Sequence, residues 1–367
     1  MKQKTIVVGM SGGVDSSVCA LLLKQQGYKV IGVFMQNWDT FLNNDVLGHT
    51  NKHETSCNVY QDFSDVQSVG KQLGIEVHKV NFERQYWNKV FKYVINSYRN
   101  GTTPNPDILC NKFIKFGNFL TYVKNKFHCD KIAMGHYAAI KKSRNKYFLQ
   151  TCADKQKDQT YFLSYLNQKQ LSNTLFPLAK LTKQEVRQIA NENKLCNWNK
   201  KDSTGVCFIG ERKFKHFLSN YIKPKVGKVI DICTNKIIGQ HDGAYFYTYG
   251  QNSRLGLSGQ TKKYYVCKKD IKNNILFVCD NQSKNKCLSS SQCELSNFNW
   301  ISGIPKNHRV KIKFRYQQQP IAGKFIVSNN KVIVTYKKTL AITPGQFAVF
   351  YQNKICLGGG VVNKLLK

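Results

Sequence analysis

The run Gly9-Met10-Ser11-Gly12-Gly13-Val14-Asp15-Ser16-Ser17 has the residue types of an anion cradle. Gly12 and Gly13 leave backbone N–H groups uncovered, and Ser11, Ser16 and Ser17 add hydroxyl donors. A following helix would present its positive end to a phosphate. The run lacks the Gly-Lys-Ser/Thr ending of the nucleoside-triphosphate loop and the G-x-G-x-x-G dinucleotide pattern. A plain glycine-rich turn between a strand and a helix would share its composition. Sulfur chemistry is offered by two isolated cysteines. In Thr103-Pro104-Asn105-Pro106-Asp107, the prolines stiffen the approach to Asn105 and Asp107, and Cys110 and Lys112 follow about one turn later. That spacing sets a carboxylate beside a thiol whose thiolate is favoured by a helix N-terminus and a lysine, as a nucleophile requires. A proline-kinked turn with a structural cysteine fits the same residues. Cys207 lies between the polar Asp202-Ser203-Thr204-Gly205 turn and Phe208-Ile209. It reads either as a thiol on a mobile segment or as a buried strand cysteine.

These residues need elements to hold them. An apolar strand, Thr5 to Val8, enters the glycine run and a helical pattern from Ser16 to Gln26 leaves it; a strand follows at Lys29 to Met35. Helical period resumes from Asp62 to Leu73, then a strand near Val77 to Val80, a helix from Tyr86 to Tyr98 and a strand at Lys131 to Met134 ending at Gly135-His136. This alternation predicts a parallel, doubly wound α/β sheet that binds ligands at the strands' carboxyl ends. Helical patterning extends over Leu171 to Asn193. From about Gly227, short alternating strands separated by Gly, Asn and Asp predict antiparallel sheets or small barrels.

At 367 residues the chain is long enough for two or three domains. Its 56 Lys and Arg against 21 Asp and Glu, a balance of +35, suit a polyanionic partner, although a general lysine and asparagine bias would also make the surface basic. No window carries eighteen consecutive apolar residues, which argues against a membrane location, and the N-terminus reads as a strand rather than an export signal. The 13 cysteines, none in a Cys-x-x-Cys pair, suit a reducing cytoplasm and individual thiols rather than a zinc ribbon or an iron-sulfur cluster. One strand stands out: Arg309, Lys311, Lys313 and Arg315 alternate with Val310, Ile312, Phe314 and Tyr316, so one face is cationic and the other apolar. The cationic face suits phosphates; a merely solvated strand would alternate in the same way.

The glycine run resembles the pyrophosphate loop of the ATP pyrophosphatases, which split ATP into AMP and pyrophosphate. Thr103-Pro104-Asn105-Pro106-Asp107-Ile108-Leu109-Cys110-Asn111-Lys112, Gly135-His136-Tyr137, Asp158-Gln159-Thr160-Tyr161-Phe162-Leu163, Ser203-Thr204-Gly205-Val206-Cys207-Phe208-Ile209-Gly210 and Thr343-Pro344-Gly345-Gln346 follow it in order. Together the set resembles the tRNA-uridine 2-sulfurtransferases, the 2-thiouridylases, over nearly the whole chain. The resemblance implies an ATP-pyrophosphatase domain of the PP-loop, adenine nucleotide alpha hydrolase-like type at residues 1–215. A small β-rich domain at 216–288 and a C-terminal tRNA-binding β-barrel at 289–367 would follow. It also implies replacement of the 2-oxygen of the wobble uridine of tRNA by sulfur. ATP would lie on Gly9, Met10, Ser11, Gly12, Gly13, Val14, Asp15 and Ser16, with its base near Met35 and Gly135. Magnesium would accompany it with Asp15 as a candidate ligand, and no separate metal site is implied. Cys207 would take a persulfide from a donor protein, Cys110 would act as nucleophile or resolving thiol, and Asp107 would move protons. A thiol reductant would reopen the Cys110–Cys207 disulfide left behind. Contacts to tRNA carry over to Asn105, Pro106, Asp107, His136, Lys157, Asp158, Gln159, Arg315, Tyr316 and Gln346.

The chain departs from the family pattern at Gly250-Gln251-Asn252-Ser253-Arg254-Leu255-Gly256, where basic side chains are lost, at Gln317, and in the polar stretch 40–54. Two other readings share the loop. One is a different adenylating ATP pyrophosphatase, such as a tRNA lysidine synthetase, which needs no cysteine pair; the other is an RNA-binding protein that retains the fold without catalysis.

Overall fold

The computed structural model describes residues 3–40, 42–47, 58–202, 205, 209, 213–257, 262–329 and 331–366. The strands are β1 (Thr5–Met10), β2 (Lys29–Gln36), β3 (Glu76–Asn81), β4 (Lys131–Met134), β5 (Ala139–Ser143), β6 (Lys146–Gln150), β7 (Thr174–Leu175), β8 (Gly227–Asp231) and β9 (Ile237–His241). They continue as β10 (Tyr264–Asp270), β11 (Ile275–Asp280), β12 (Ser289–Trp300), β13 (Arg309–Lys313), β14 (Ile321–Ser328), β15 (Lys331–Leu340), β16 (Phe347–Gln352) and β17 (Ile355–Leu365). The first sheet has the order β3-β2-β1-β4-β7 and is parallel throughout. Its central strands are apolar on both faces: Val7, Val8 and Val33 have no exposed surface, and each such side chain contributes roughly 1.5–3 kcal/mol on burial. The order reverses between β1 and β4, which opens a crevice at their carboxyl ends.

The second sheet, β10-β11-β8-β9, is small and mixed. In the third, β12-β15-β14-β13-β16-β17 closes on itself through β12–β17 to form a six-stranded barrel. The expected succession of a doubly wound domain and two β-rich units, the last a barrel, is what the chain adopts.

Two features differ from the periodic reading. The stretch 171–193 is not one helix: it breaks into Gln168–Ser172, the edge strand β7 and Lys183–Glu192. Pro177 cannot donate to a helical ladder, and Thr174–Leu175 finds backbone partners beside β4 instead. The hairpin β5–β6 was not apparent from the pattern, and it leaves the first domain to pair with β17 of the barrel sheet, Leu149 opposite Cys356 and Gln150 opposite Ile355.

Candidate active site

The glycine run forms the turn between β1 and the helix Val14–Gln25. Gly12 has φ +77°, and a Cβ there would lie 2.6 Å from the Asp62 carbonyl, so backbone and space both demand glycine. Gly13 caps the helix. Its carbonyl accepts from the Ser16 and Ser17 hydroxyls at 3.0 and 3.1 Å, and Ser11 N donates to Ser16 Oγ at 3.2 Å. The hydroxyls of the run thus converge on the helix N-terminus. At its flank, a Cβ on Gly9 would meet Met134 Sδ at 2.5 Å and Met35 Cε at 3.3 Å, and one on Gly135 would meet Ser16 N at 2.9 Å. Gly9, Met35 and Gly135 therefore meet beside the loop, with the thioethers of Met35 and Met134 packed against its entry. This donor and contact set fits an adenine nucleotide. Met10 and Val14 are buried behind it.

Asp15 is engaged by the protein itself: its Oδ1 accepts from Lys183 Nζ at 2.6 Å and from the Tyr137 hydroxyl at 2.9 Å. Among the described residues no group of three or more His, Cys, Asp or Glu could hold a metal ion. Such a carboxylate suits a cation that brings most of its oxygen ligands from phosphates.

Lys183 begins the helix Lys183–Glu192 and is only 13% exposed. Thr182 caps that helix through a reciprocal box: Thr182 Oγ1 accepts from Glu185 N at 3.2 Å, and Glu185 Oε2 accepts from Thr182 N at 2.7 Å. The ammonium so placed bridges Asp15 to Asp202 at 2.8 Å, and Asp202 also pairs with Lys157 at 2.9 Å and Arg187 at 2.8 Å. Burial raises the Asp202 carboxyl, but hydrogen bonds and attraction from Lys183 and Lys157 outweigh it and hold the group well below the usual carboxylate range. The chain Asp15–Lys183–Asp202 therefore fastens the glycine run to the residue that leads into Ser203–Gly210. Cys207 itself lies outside the described residues.

Asn105 caps the short helix Pro106–Cys110 by accepting from Ile108 N at 3.2 Å, with Pro106 at its first position and Asp107 in its first turn. Cys110 was expected near a helix N-terminus and open to reaction. It does lie about one turn into a helical run that starts at Pro106 and continues through Asn111–Asn118 and Phe119–Phe127, but it has no exposed surface and packs in the core that includes Ile108, Ile114 and Phe116. Burial also lowers the pKa of Lys112. His136 lies between Phe116 and Phe176, with ring centroids at 5.6 and 6.1 Å. Burial, with Lys115 assisting, drives its pKa well below 6.5, and Nδ1 has no hydrogen-bond partner among the described residues.

The expected tRNA contacts divide. Lys157 is half-buried, whereas Asp158 is turned inward, 6% exposed, where its carboxylate accepts from Cys152 N and from Thr160. A contact from Asp158 itself to a surface ligand is corrected by this placement: a short buried loop consumes its acceptors. Gln159 is fastened to Tyr137 by two 2.9 Å bonds. On the barrel, Arg309 and Lys311 are exposed while Val310, Ile312 and Phe314 are buried, as the alternation predicts. Arg315 is exposed and donates to the Ala341 carbonyl at 2.8 Å. Tyr316 packs on Phe162 with centroids at 4.5 Å, and Gln346 is half-buried in the turn before β16.

Sequence reasoning missed Lys183, Asp202 as its partner, and Asn197, whose Nδ2 donates to Gly12 O at 2.9 Å and Ser17 Oγ at 3.0 Å. The Thr182-x-x-Glu185 capping signature could have located Lys183 at a helix start. Nothing local announces a partner 168 residues away.

Comparison with known proteins follows the same division. Residues 4–211 match the family model described as the tRNA methyl transferase HUP domain, 215–280 its PRC-barrel domain, and 290–362 the aminomethyltransferase beta-barrel domain. The tRNA-specific 2-thiouridylase MnmA of Mycoplasma mycoides subsp. mycoides SC is 51% identical over 377 residues, covering 100% of both chains. This chain belongs to the tRNA-specific 2-thiouridylase family. The Malacoplasma penetrans protein of the same description is 51% identical, with 98% of each chain covered. That of Ureaplasma parvum serovar 3 is 49% identical, covering 99% of this chain and 95% of its own. The family resemblance drawn from six ordered runs is thereby borne out at full length.

Proposed function

We propose that this chain is an ATP-dependent tRNA-uridine 2-sulfurtransferase acting on the wobble uridine. The observation that supports the reading is the Asp15–Lys183–Asp202 bridge, because it ties the glycine run to Asp202, which directly precedes Ser203–Gly210 in the sequence. Membership of the 2-thiouridylase family supports the same reaction. Residues 1–215 would carry catalysis, 216–288 would support it, and 289–367 would bind tRNA.

In this reading the Gly9 to Ser16 turn holds the phosphates of ATP at the positive N-terminal end of the helix Val14–Gln25, and Met35 and Gly135 border its base. Asp15 is the residue that would hold a magnesium ion accompanying the phosphates, and the ion would supply charge neutralisation. The uridine 2-oxygen attacks the α-phosphate and pyrophosphate leaves, which converts a poor leaving oxygen into AMP. Cys207 carries a persulfide delivered by a donor protein. Its terminal sulfur passes to C2 as AMP departs, with Cys110 as nucleophile or resolving thiol, and a Cys110–Cys207 disulfide remains for a thiol reductant. Asp107 holds or moves the proton, and Asn105 and Pro106 meet the base. Anticodon-loop bases are single-stranded, so unstacking one costs little. Since Cys110 is enclosed, the turn that carries it must shift when the base arrives. Lys157, Gln159, His136, Arg315, Tyr316 and Gln346 are proposed to bind tRNA, and Asp158 to hold their loop from within. The reducing setting such thiols need is a cytoplasm, and among the described residues no helix is long and apolar enough to cross a membrane.

The test is incubation of the purified chain with ATP, magnesium, a persulfide source and unmodified tRNA, followed by mass analysis of nucleosides. The expected product is 2-thiouridine, absent when either Cys110→Ser or Cys207→Ser replaces the parent. Full activity in both variants would overturn the mechanism.

A further inference from the structure

Three parts of the chain meet at Thr103, the residue before Pro104-Asn105-Pro106-Asp107. Its N–H donates to the Pro344 carbonyl at 3.0 Å, and its hydroxyl lies 3.1 Å from that of Thr248. Gly345, at φ +91°, comes so near that a Cβ would stand 2.7 Å from Thr103 N and 2.9 Å from Thr103 O. Gly101, at φ +73°, rests as closely on Ile271 of the central domain, where a Cβ would run into its Cγ1. Thr103 is 7% exposed, so water competes little for these bonds. The barrel side of the junction leads directly to Arg315: the Ala341 carbonyl accepts from Arg315 Nη2 at 2.8 Å and from Thr343 Oγ1 at 3.1 Å. A hydrogen-bonded and covalent run therefore extends from an exposed cation of the barrel, through Ala341 and Thr343–Pro344, to Thr103 and the turn of Asn105 and Asp107.

We propose that this junction is a positioning device: the seating of an RNA backbone on the Arg315 face sets the Asn105–Asp107 turn, with Gly345, Thr103 and Thr248 as positioning residues. The inference rests on the thiolation reading for what the turn does. Its physical basis is the lack of slack, since a backbone-to-backbone bond and a missing side chain pass a displacement on where long side chains would absorb it. The Thr343–Gln346 turn thus has a task besides any contact made by Gln346.

Two variants of the full chain test this. Gly345→Ala forces a Cβ into the contact, and Thr248→Val deletes one hydroxyl at nearly constant volume, which guards against a folding failure of the first. Amide exchange across residues 103–110 is measured with and without unmodified tRNA, alongside thiolation kinetics. In the parent, tRNA slows exchange over this stretch. Each variant should lose most of that slowing and drop kcat by about tenfold or more, with KM for tRNA within about threefold of the parent, and Thr248→Ser should restore both. Equal slowing in parent and variants, or a change confined to KM, overturns the proposal. If no chain makes 2-thiouridine, the thiolation reading falls, and the exchange comparison alone decides the junction.

Discussion

At the scale of single residues, Lys183 has the largest leverage on the site. It lies between two carboxylates, and without it Asp15 would lose its ion pair while Asp202 kept Lys157 and Arg187. Lys183→Met keeps the apolar stem and removes only the charge. We expect ATP-dependent pyrophosphate release to fall about tenfold or more, and release within about twofold of the parent would show the bridge to be idle. His136 gives a pH signature. Its folded pKa lies below the unfolded value because burial disfavours the imidazolium, so stability is fully present above about pH 6.5. As pH falls from there, the unfolded chain takes up a proton that the folded chain refuses, and stability declines. In urea titrations at pH 7 and pH 5, the parent should lose more than His136→Phe, whose ring can still pack on Phe116 and Phe176. Equal losses would mean that the half-buried imidazole is not what titrates.

Among the elements, the helix Lys183–Glu192 depends on its first turn. Thr182→Ala removes half of the capping box and should cost about 1 kcal/mol, read as a shift in urea midpoint, and should loosen the placement of Lys183 as well. This scale also shows what periodicity could convey. The strands β1, β2 and β4 were legible because sheets covered on both faces require unbroken apolar runs, and Ile6-Val7-Val8 and Ile132-Ala133-Met134 are examples. The glycine run was legible because Gly12 answers to a local backbone demand. The hairpin β5–β6 was not, since Lys141, Lys142 and Ser143 look like a solvated turn until a partner strand arrives from far along the chain. The site divides in the same way. A candidate turn written into adjacent residues, such as Asn105-Pro106-Asp107, could be found by inspection. The inward turn of Asp158, the enclosure of Cys110 and the reach of Lys183 to Asp15 depend on packing between distant segments.

At the scale of the whole molecule, the balance of +35 dominates encounters with a polyanion. Affinity for tRNA should fall about tenfold or more between about 50 and 200 mM salt, with a linear slope of log affinity against log salt. Arg315→Ala should reduce that slope by about one, as expected for one phosphate neutraliser. A slope unchanged by the substitution would place Arg315 off the RNA. Architecture bears on synthesis as well as on binding. Strand β6 must wait for β17, which follows it by about two hundred residues, before its outer edge is paired. At about 5–20 residues per second, a ribosome leaves that edge open for about 10–40 s, long enough for an unpaired strand to find a wrong neighbour. Lys141, Lys142 and Lys146 on the hairpin are charges of the kind that discourage such pairing, so part of the molecule's basicity serves its birth as well as its work.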